Sequence, residues 1–206
     1  MNHSGLVGIY LAAGKSSRMG RAKLNLPVGN QFIGSMAFRA ALESKLDYTI
    51  AITRKGDSLK WLAPFSKIKG WSYLECLKAN QGQSASLKAG VRVAAELGAA
   101  GVVVLLADQP FVTSQMINRL VDEFKISQIV SYISFTHEGI VKPPVLFAKS
   151  LFPMLCELTG DQGARTIIRE EIKEQGKKLE IKSDLHFWDI DTEEEYQLLK
   201  QQMEKS

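Results

Sequence analysis

The sequence predicts an α/β fold, a mostly parallel sheet with helices packed on both of its faces. Three observations lead there. Uninterrupted apolar runs such as 6–13 (LVGIYLAA) and 102–107 (VVVLLA) have the length and character of strands covered on both sides. Stretches with apolar residues at helical spacing lie between such runs. The two kinds of segment alternate along the chain, as crossover connections in a parallel sheet require.

Taken in order, 6–13 is the first strand and 33–43 reads as a helix. A second short strand is expected at 48–53 and a third at 71–74. Residues 83–97 form a helix with Leu87, Val91, Ala94 and Ala95 near one face, and Gly98 is its stop. The run 102–107 is the clearest buried strand. Thr113 then caps a helix carrying Met116, Ile117, Leu120, Val121 and Phe124. Strands are expected at 129–135 and 144–147, the latter followed by a short helix. Residues 161–173 read as a helix with Ala164, Ile167, Ile168 and Ile172 at helical spacing. Thr192-Glu193-Glu194-Glu195 is a capping box for a last helix through Leu198, Leu199 and Met203. No repeat, low-complexity tract or Pro/Gly/Ser linker interrupts the pattern, so a single domain over 1–206 is expected.

Composition narrows the function classes. The 206 residues hold 26 Lys+Arg against 22 Asp+Glu, and 45% are hydrophobic, which excludes wholesale disorder and fibrous architectures. A formal charge of +4 suits an anionic small substrate, and no clustered basic run argues for nucleic acid. The two cysteines, Cys76 and Cys156, are far apart and read as free thiols in a reducing cytoplasm. His3, His137 and His186 are scattered, and neither H-E-x-x-H nor C-x-x-C occurs, so a hydrolytic zinc centre has no support. The N-terminus lacks the charged start of a secretory signal, and no run approaches the ~20 apolar residues of a membrane span. A soluble, cytoplasmic protein without membrane partners is expected.

A parallel sheet puts its site at the carboxyl ends of its strands. The two most apolar strands run into Gly14-Lys15-Ser16-Ser17-Arg18-Met19-Gly20 and into Asp108-Gln109-Pro110. The first loop is neither a P-loop, because the glycine required five residues before Gly14 is Ile9, nor G-x-G-x-x-G. Ala12, Ala13 and Gly14 let a ligand approach the backbone, while Arg18, Arg21 and Lys23 stand ready to neutralise phosphate. By itself such a Gly- and Ser-rich loop is usually only a tight turn with solvated cations. Asp108 is a strand-end carboxylate suited to Mg²⁺ or to capping a turn; beside a cationic loop the metal is favoured.

These residues carry a resemblance. Leu11-Ala12-Ala13-Gly14 with Arg18-Met19-Gly20 and Lys23 resembles the signature loop of nucleotidyltransferases related to molybdenum cofactor guanylyl- and cytidylyltransferases. Residues 81–87 (QGQSASL) with Gly90 resemble the second nucleotide-contacting segment, and 105–110 (LLADQP) the metal-binding strand end. Residues 160–165 (GDQGAR) and 189–192 (DIDT) resemble further motifs of the cytidylyltransferase branch, which includes PucB-like proteins of purine catabolism serving xanthine dehydrogenase.

The resemblance implies a Rossmann-like three-layer sandwich of the nucleotide-diphospho-sugar transferase type. It implies transfer of CMP from CTP to the phosphate of a molybdopterin-type cofactor, with Mg²⁺ as the metal and a molybdoenzyme such as xanthine dehydrogenase as recipient. Arg18 and Lys23 would be catalytic, and Leu11, Ala12, Ala13, Gly14, Lys23, Gln83, Ser84 and Ser86 would bind the nucleotide. Asp108 and Asp191 would hold the metal. Asp161 and Arg165 are either an acceptor site at a helix start or a helical ion pair. Relatives place a Gly-His-Pro type turn before the strand ending in Leu-Phe; here the expected turn is Lys142-Pro143-Pro144.

Rival readings are a guanylyltransferase, transfer to another phosphorylated acceptor such as a sugar phosphate, and a non-catalytic cofactor carrier. Trp61, Trp71 and Trp188 are read as packing residues. Lys173, Lys177, Lys178 and Lys182 are read as a solvated face around a turn.

Overall fold

The computed structural model describes residues 5–127, 130–170 and 175–204. In chain order the strands are β1 (Leu6–Ala12), β2 (Pro27–Val28), β3 (Gln31–Phe32), β4 (Tyr48–Arg54), β5 (Trp71–Cys76), β6 (Gly101–Leu106), β7 (Tyr132–His137), β8 (Ile140–Ala148) and β9 (Gly176–Glu180). The helices are α1 (Ile33–Leu42), α2 (Gln83–Glu96), α3 (Ser114–Ile126), α4 (Phe152–Glu157), α5 (Ala164–Glu170) and α6 (Glu193–Glu204). Seven strands form one sheet in the order β5-β4-β1-β6-β8-β7-β9. Only β8 runs against the others, pairing antiparallel with both β6 and β7. The carboxyl ends of β4, β1 and β6 therefore lie side by side.

The apolar runs are continuous because alternate residues feed two cores. From β1, Leu6 and Tyr10 enter one core while Val7, Ile9 and Leu11 enter the other. From β6, Val103 and Leu105 join the first and Val102 and Val104 the second. Helices α1 and α3 cover the first face through Phe38, Ile117 and Leu120. Helices α2, α4 and α5 cover the second through Leu87, Leu155 and Ile168. Burying a side chain of this size contributes about 1.5–3 kcal/mol, so these faces hold the sheet and the loops at its edge. An aromatic group centres on Phe38, whose ring lies 5.2 Å from Tyr10, 5.7 Å from Trp61, 5.1 Å from Phe65 and 5.3 Å from Trp71. Trp188 stacks on Phe111 at 6.0 Å. All three tryptophans thus pack against the core, as their sequence context suggests.

The expected caps form. The Thr113 hydroxyl accepts from Met116 N at 3.3 Å, and at α6 Glu195 N donates to Thr192 Oγ1 while Thr192 N donates to Glu195 Oε2. Helix α2 ends just before Gly98. Three expectations need correction. Lys142-Pro143-Pro144 is no turn but part of β8; the β7–β8 register shifts between Ser134 and Phe135, skipping the two prolines, which lack the N–H that a regular ladder needs. The expected strand 129–135 lies at Tyr132–His137, with Ile129 outside the described residues. The expected helix 161–173 begins only at Ala164, because Gly160 to Gly163 form a turn; 171–173 lie outside the described residues. Lys177 and Lys178 belong to the edge strand β9, and Lys177 pairs with Glu123 across to α3. Lys173 lies outside the described residues. Cys76 is buried, Cys156 is half-buried against the second core, and both are free thiols.

Candidate active site

The loop after β1 is short of side chains and turns tightly. Met19 N and Gly20 N both donate to the Ser16 carbonyl, at 3.2 and 3.1 Å. A Cβ on Gly14 would meet nothing within 4 Å, so the backbone there faces open space. The loop runs into a single 3₁₀ turn, Lys23–Asn25, which swings Lys23 inward until only 6% of it is exposed.

Two carboxylates from distant parts of the chain meet it. Lys23 Nζ donates to Asp108 Oδ2 at 2.8 Å and to Asp191 Oδ1 at 2.7 Å. Asp108 follows β6, whose exit is tied to β1 by Ala107 N donating to the Leu11 carbonyl. Asp191 precedes α6, and its N–H donates to Glu195 Oε2 at 2.7 Å, so the capping box also fixes the aspartate. Arg18 Nη2 donates to Asp191 Oδ2 at 2.7 Å, and Arg21 pairs with Glu193. The signature loop is thereby clasped to the start of α6.

Burial pulls the Lys23 ammonium down, but Asp108 and then Asp191 outweigh it and hold its pKa above the ordinary lysine value. Lys23 is therefore cationic at neutral pH. Asp189 is pushed up from the carboxylate range, first by burial and then by the Asp108 charge.

The facing wall is the N-terminal turn of α2. Ser84 donates to the Gly160 carbonyl through both N–H (3.1 Å) and hydroxyl (2.7 Å). Gly82 has φ +109°, and a Cβ there would come within 2.2 Å of Gly160 O. Between loop and wall lies a cavity of about 580 Å³, reached by Leu11, Ala12, Ala13, Gly14, Arg18, Lys23, Gln83, Ser86 and Asp108. A second cavity of about 600 Å³ adjoins it, sharing Gln83 and Asp161 and carrying Arg165, Arg169 and Lys178.

Most of the expected site residues are therefore brought together. Ser84 is not: its buried hydroxyl is spent on Gly160, behind the wall. Asp191 reaches Lys23 from a neighbouring groove shared with Lys142, Trp188 and Asp189. Asp161 precedes α5, so the helical pair with Arg165 does not form, and among the described residues no ion pair joins them. Sequence reasoning gave no role to Gln109 and Asp189, although both lie in its motifs, or to Arg169, and it read Lys178 as part of a solvated face. Only the spacing of Asp189 and Asp191 was a usable signal; the others surface through tertiary contact.

Among the described residues no three His, Cys, Asp or Glu side chains converge into a self-sufficient metal cage. Asp108 at the cavity and Asp191 in the neighbouring groove are hard carboxylates that could hold Mg²⁺, an ion that takes one or two carboxylates and completes its shell with phosphate and water.

A small-residue loop, a buried lysine between Asp108 at the end of β6 and Asp191 before α6, and an adjoining cationic cavity fit a nucleotidyltransferase. The chain belongs to the MobA-like NTP transferase family, whose domain model matches residues 8–177. It is 38% identical over 209 residues to the purine catabolism protein PucB of Bacillus subtilis (strain 168), covering 96% of this chain and 97% of PucB. A nucleotidyl transferase from Methanothermobacter thermautotroptrophicus superposes with a TM-score of 0.80 at 18% identity, covering 98% of each chain. A 4-diphosphocytidyl-2C-methyl-D-erythritol synthase from Anaerococcus prevotii DSM 20548 superposes with a TM-score of 0.76 at 13% identity, covering 98% of this chain and 96% of that one. The fold is that of the nucleotide-diphospho-sugar transferases. No described helix is long and apolar enough to cross a membrane.

Proposed function

We propose that this nucleotidyltransferase moves CMP from CTP to the terminal phosphate of a molybdopterin-type cofactor. The products are pyrophosphate and a cytosine dinucleotide cofactor destined for a xanthine dehydrogenase-type enzyme. The observation that carries the reading is Lys23, buried and shared by Asp108 and Asp191 at the edge of a cavity of about 580 Å³, large enough for a nucleotide. The name of the PucB relative supports a role in purine catabolism, and the small pair Ala12-Ala13 with Gln83 and Ser86 supports a pyrimidine nucleotide.

An oxygen of the acceptor phosphate attacks the α-phosphorus of CTP. The new P–O bond forms as the bond to the β-phosphate bridging oxygen breaks, and the electron pair leaves on pyrophosphate. No covalent enzyme intermediate is needed, so the protein's contribution is positioning and charge. Lys23 and Arg18 supply fixed positive charge beside the triphosphate, where charge grows on the leaving group. The backbone at Ala13 and Gly14 admits the phosphates closely. Gln83 and Ser86 face the nucleoside. Asp108 and Asp191 would hold Mg²⁺, which supplies charge neutralisation on the phosphates when bound. Asp161 and Arg165, with Arg169 and Lys178 behind them, offer the adjoining cavity to an anionic acceptor. The test is incubation with each nucleoside triphosphate, Mg²⁺ and the purified cofactor, followed by mass analysis. A CMP adduct is expected; no adduct with any nucleotide overturns the reading.

A further inference from the structure

One buried contact beside the site is not used by the transfer chemistry itself. Gln109 directly follows Asp108 and is only 2% exposed. Its Nε2 donates to Asp189 Oδ1 at 2.9 Å and faces the Phe187 carbonyl at 3.5 Å. Both neighbours are acceptors, so the amide nitrogen must point at them. Its Oε1 is buried without a hydrogen-bond partner. A buried amide with one end unmet is costly, so the residue is poorly explained as core filling. A backbone bond lies beside it: Ile190 N donates to the Asp108 carbonyl at 2.9 Å. Together the two bonds fasten 189–190 to 108–109. The flanking residues, Asp108 and Asp191, then meet the same Lys23 ammonium at 2.8 and 2.7 Å.

We propose that Gln109 is a positioning residue that holds Asp189 and so sets the register of 187–191 against the end of β6. Asp191 is brought to Lys23 by that register. Neither Gln109 nor Asp189 touches substrate in this account. With the side-chain bond gone, the Ile190 bond and the capping box still hold the segment, but 189 is no longer fastened to 109 and the placement of Asp191 against β6 loosens. The kinetic part of the proposal rests on the nucleotidyl-transfer reading; the structural part does not.

The test reads Lys23 directly. An ammonium buried between two carboxylates gives a side-chain ¹H–¹⁵N signal, assigned by its loss in Lys23→Met. In Gln109→Leu that signal is expected to shift or broaden. In Asp189→Asn, whose amide oxygen still accepts from Gln109, it is expected to stay. In Gln109→Leu, kcat should fall roughly 10- to 100-fold while the nucleotide KM changes by less than about a factor of two, the pattern of misplaced groups. A Lys23 signal unmoved by Gln109→Leu overturns the proposal. If Gln109→Leu does not fold, Gln109→Asn, too short to reach Asp189, is read with the same two outcomes. If the wild-type protein transfers no nucleotide, the functional reading fails while the Lys23 signal still decides whether Gln109 positions Asp191.

Discussion

Lys23 and Asp108 are 85 positions apart in the chain, yet the lysine Nζ lies 2.8 Å from the aspartate Oδ2. The first sits behind the loop after β1 and the second behind β6, which are neighbouring parallel strands. Their meeting is a direct product of the topology: three crossovers, β1 to β4, β4 to β5 and β5 to β6, return the chain to the same end of the sheet, and both strand ends open there.

The first prediction concerns this lysine. Lys23→Met keeps much of the buried stem but removes the charge beside the leaving pyrophosphate. Turnover is expected to fall about 10²- to 10³-fold, the usual effect of losing one transition-state contact. Nucleotide affinity, measured by calorimetry, should fall much less. Equal losses in affinity and turnover contradict a transition-state role.

Asp108→Asn tests the other half of the pair. The amide oxygen still accepts from Lys23, so the melting temperature should move little, in line with a net worth of about 1 kcal/mol for one hydrogen bond. The charge that attracts the divalent ion is lost, and activity should collapse at every Mg²⁺ concentration tried. Normal activity at ordinary Mg²⁺ removes Asp108 from the metal site.

Much of this site is legible in the sequence, and the exceptions have physical causes. The runs 6–13 and 102–107 announce strands because both faces of each are buried, and the loops that follow them carry the chemistry. Thr192 and Glu195 announce α6 because capping is local. Strand β9, with Lys177, Lys178 and Glu180 in five residues, has little apolar pattern because it lies at the sheet edge. The hairpin of β2 and β3 is too short for any period to register. Ser84 looks like a ligand-facing serine, since sequence does not give the rotation of α2; the helix turns it to Gly160 and leaves Gln83 and Ser86 at the cavity. The partnership of Gln109 with Asp189, 80 residues on, is tertiary and has no local signature.

Gly82→Ala should strain the wall of the cavity. Its φ of +109° and the 2.2 Å approach of a Cβ to Gly160 O leave no room for a side chain. A cost of about 1–3 kcal/mol is expected, together with a raised KM for nucleotide as α2 parts from Gly160. Thermal unfolding and steady-state kinetics check both, and an unchanged melt with unchanged KM refutes the packing argument.

Tyr10 gives stability a pH signature. It is fully buried, and its hydroxyl donates to the Gly34 carbonyl at 2.8 Å. Burial first, and the Asp108 charge second, push the phenol well above its ordinary value of 10.0. The unfolded chain releases this proton near pH 10 and the folded chain holds it. Folding stability should therefore be unaffected by Tyr10 below pH 10 and fall above it, by about 1.4 kcal/mol per pH unit from this group. Tyr10→Phe should start less stable, through the lost hydrogen bond, and fall less steeply above pH 10. Urea unfolding at pH 9, 10 and 11 decides it; parallel curves for the two proteins contradict the assignment.

Transfer of the cytidylyl group of CTP with departure of pyrophosphate is tested most directly with labelled nucleotide. The protein is given CTP labelled at the α- or the γ-phosphate, an equal amount of unlabelled GTP, Mg²⁺ and the pterin cofactor. The α-label is expected to enter the cofactor adduct, the γ-label to appear only in pyrophosphate, and cytidylyl product to predominate over guanylyl product. Retention of the γ-label in the adduct, predominance of the guanylyl product, or absence of any adduct would contradict cytidylyl transfer.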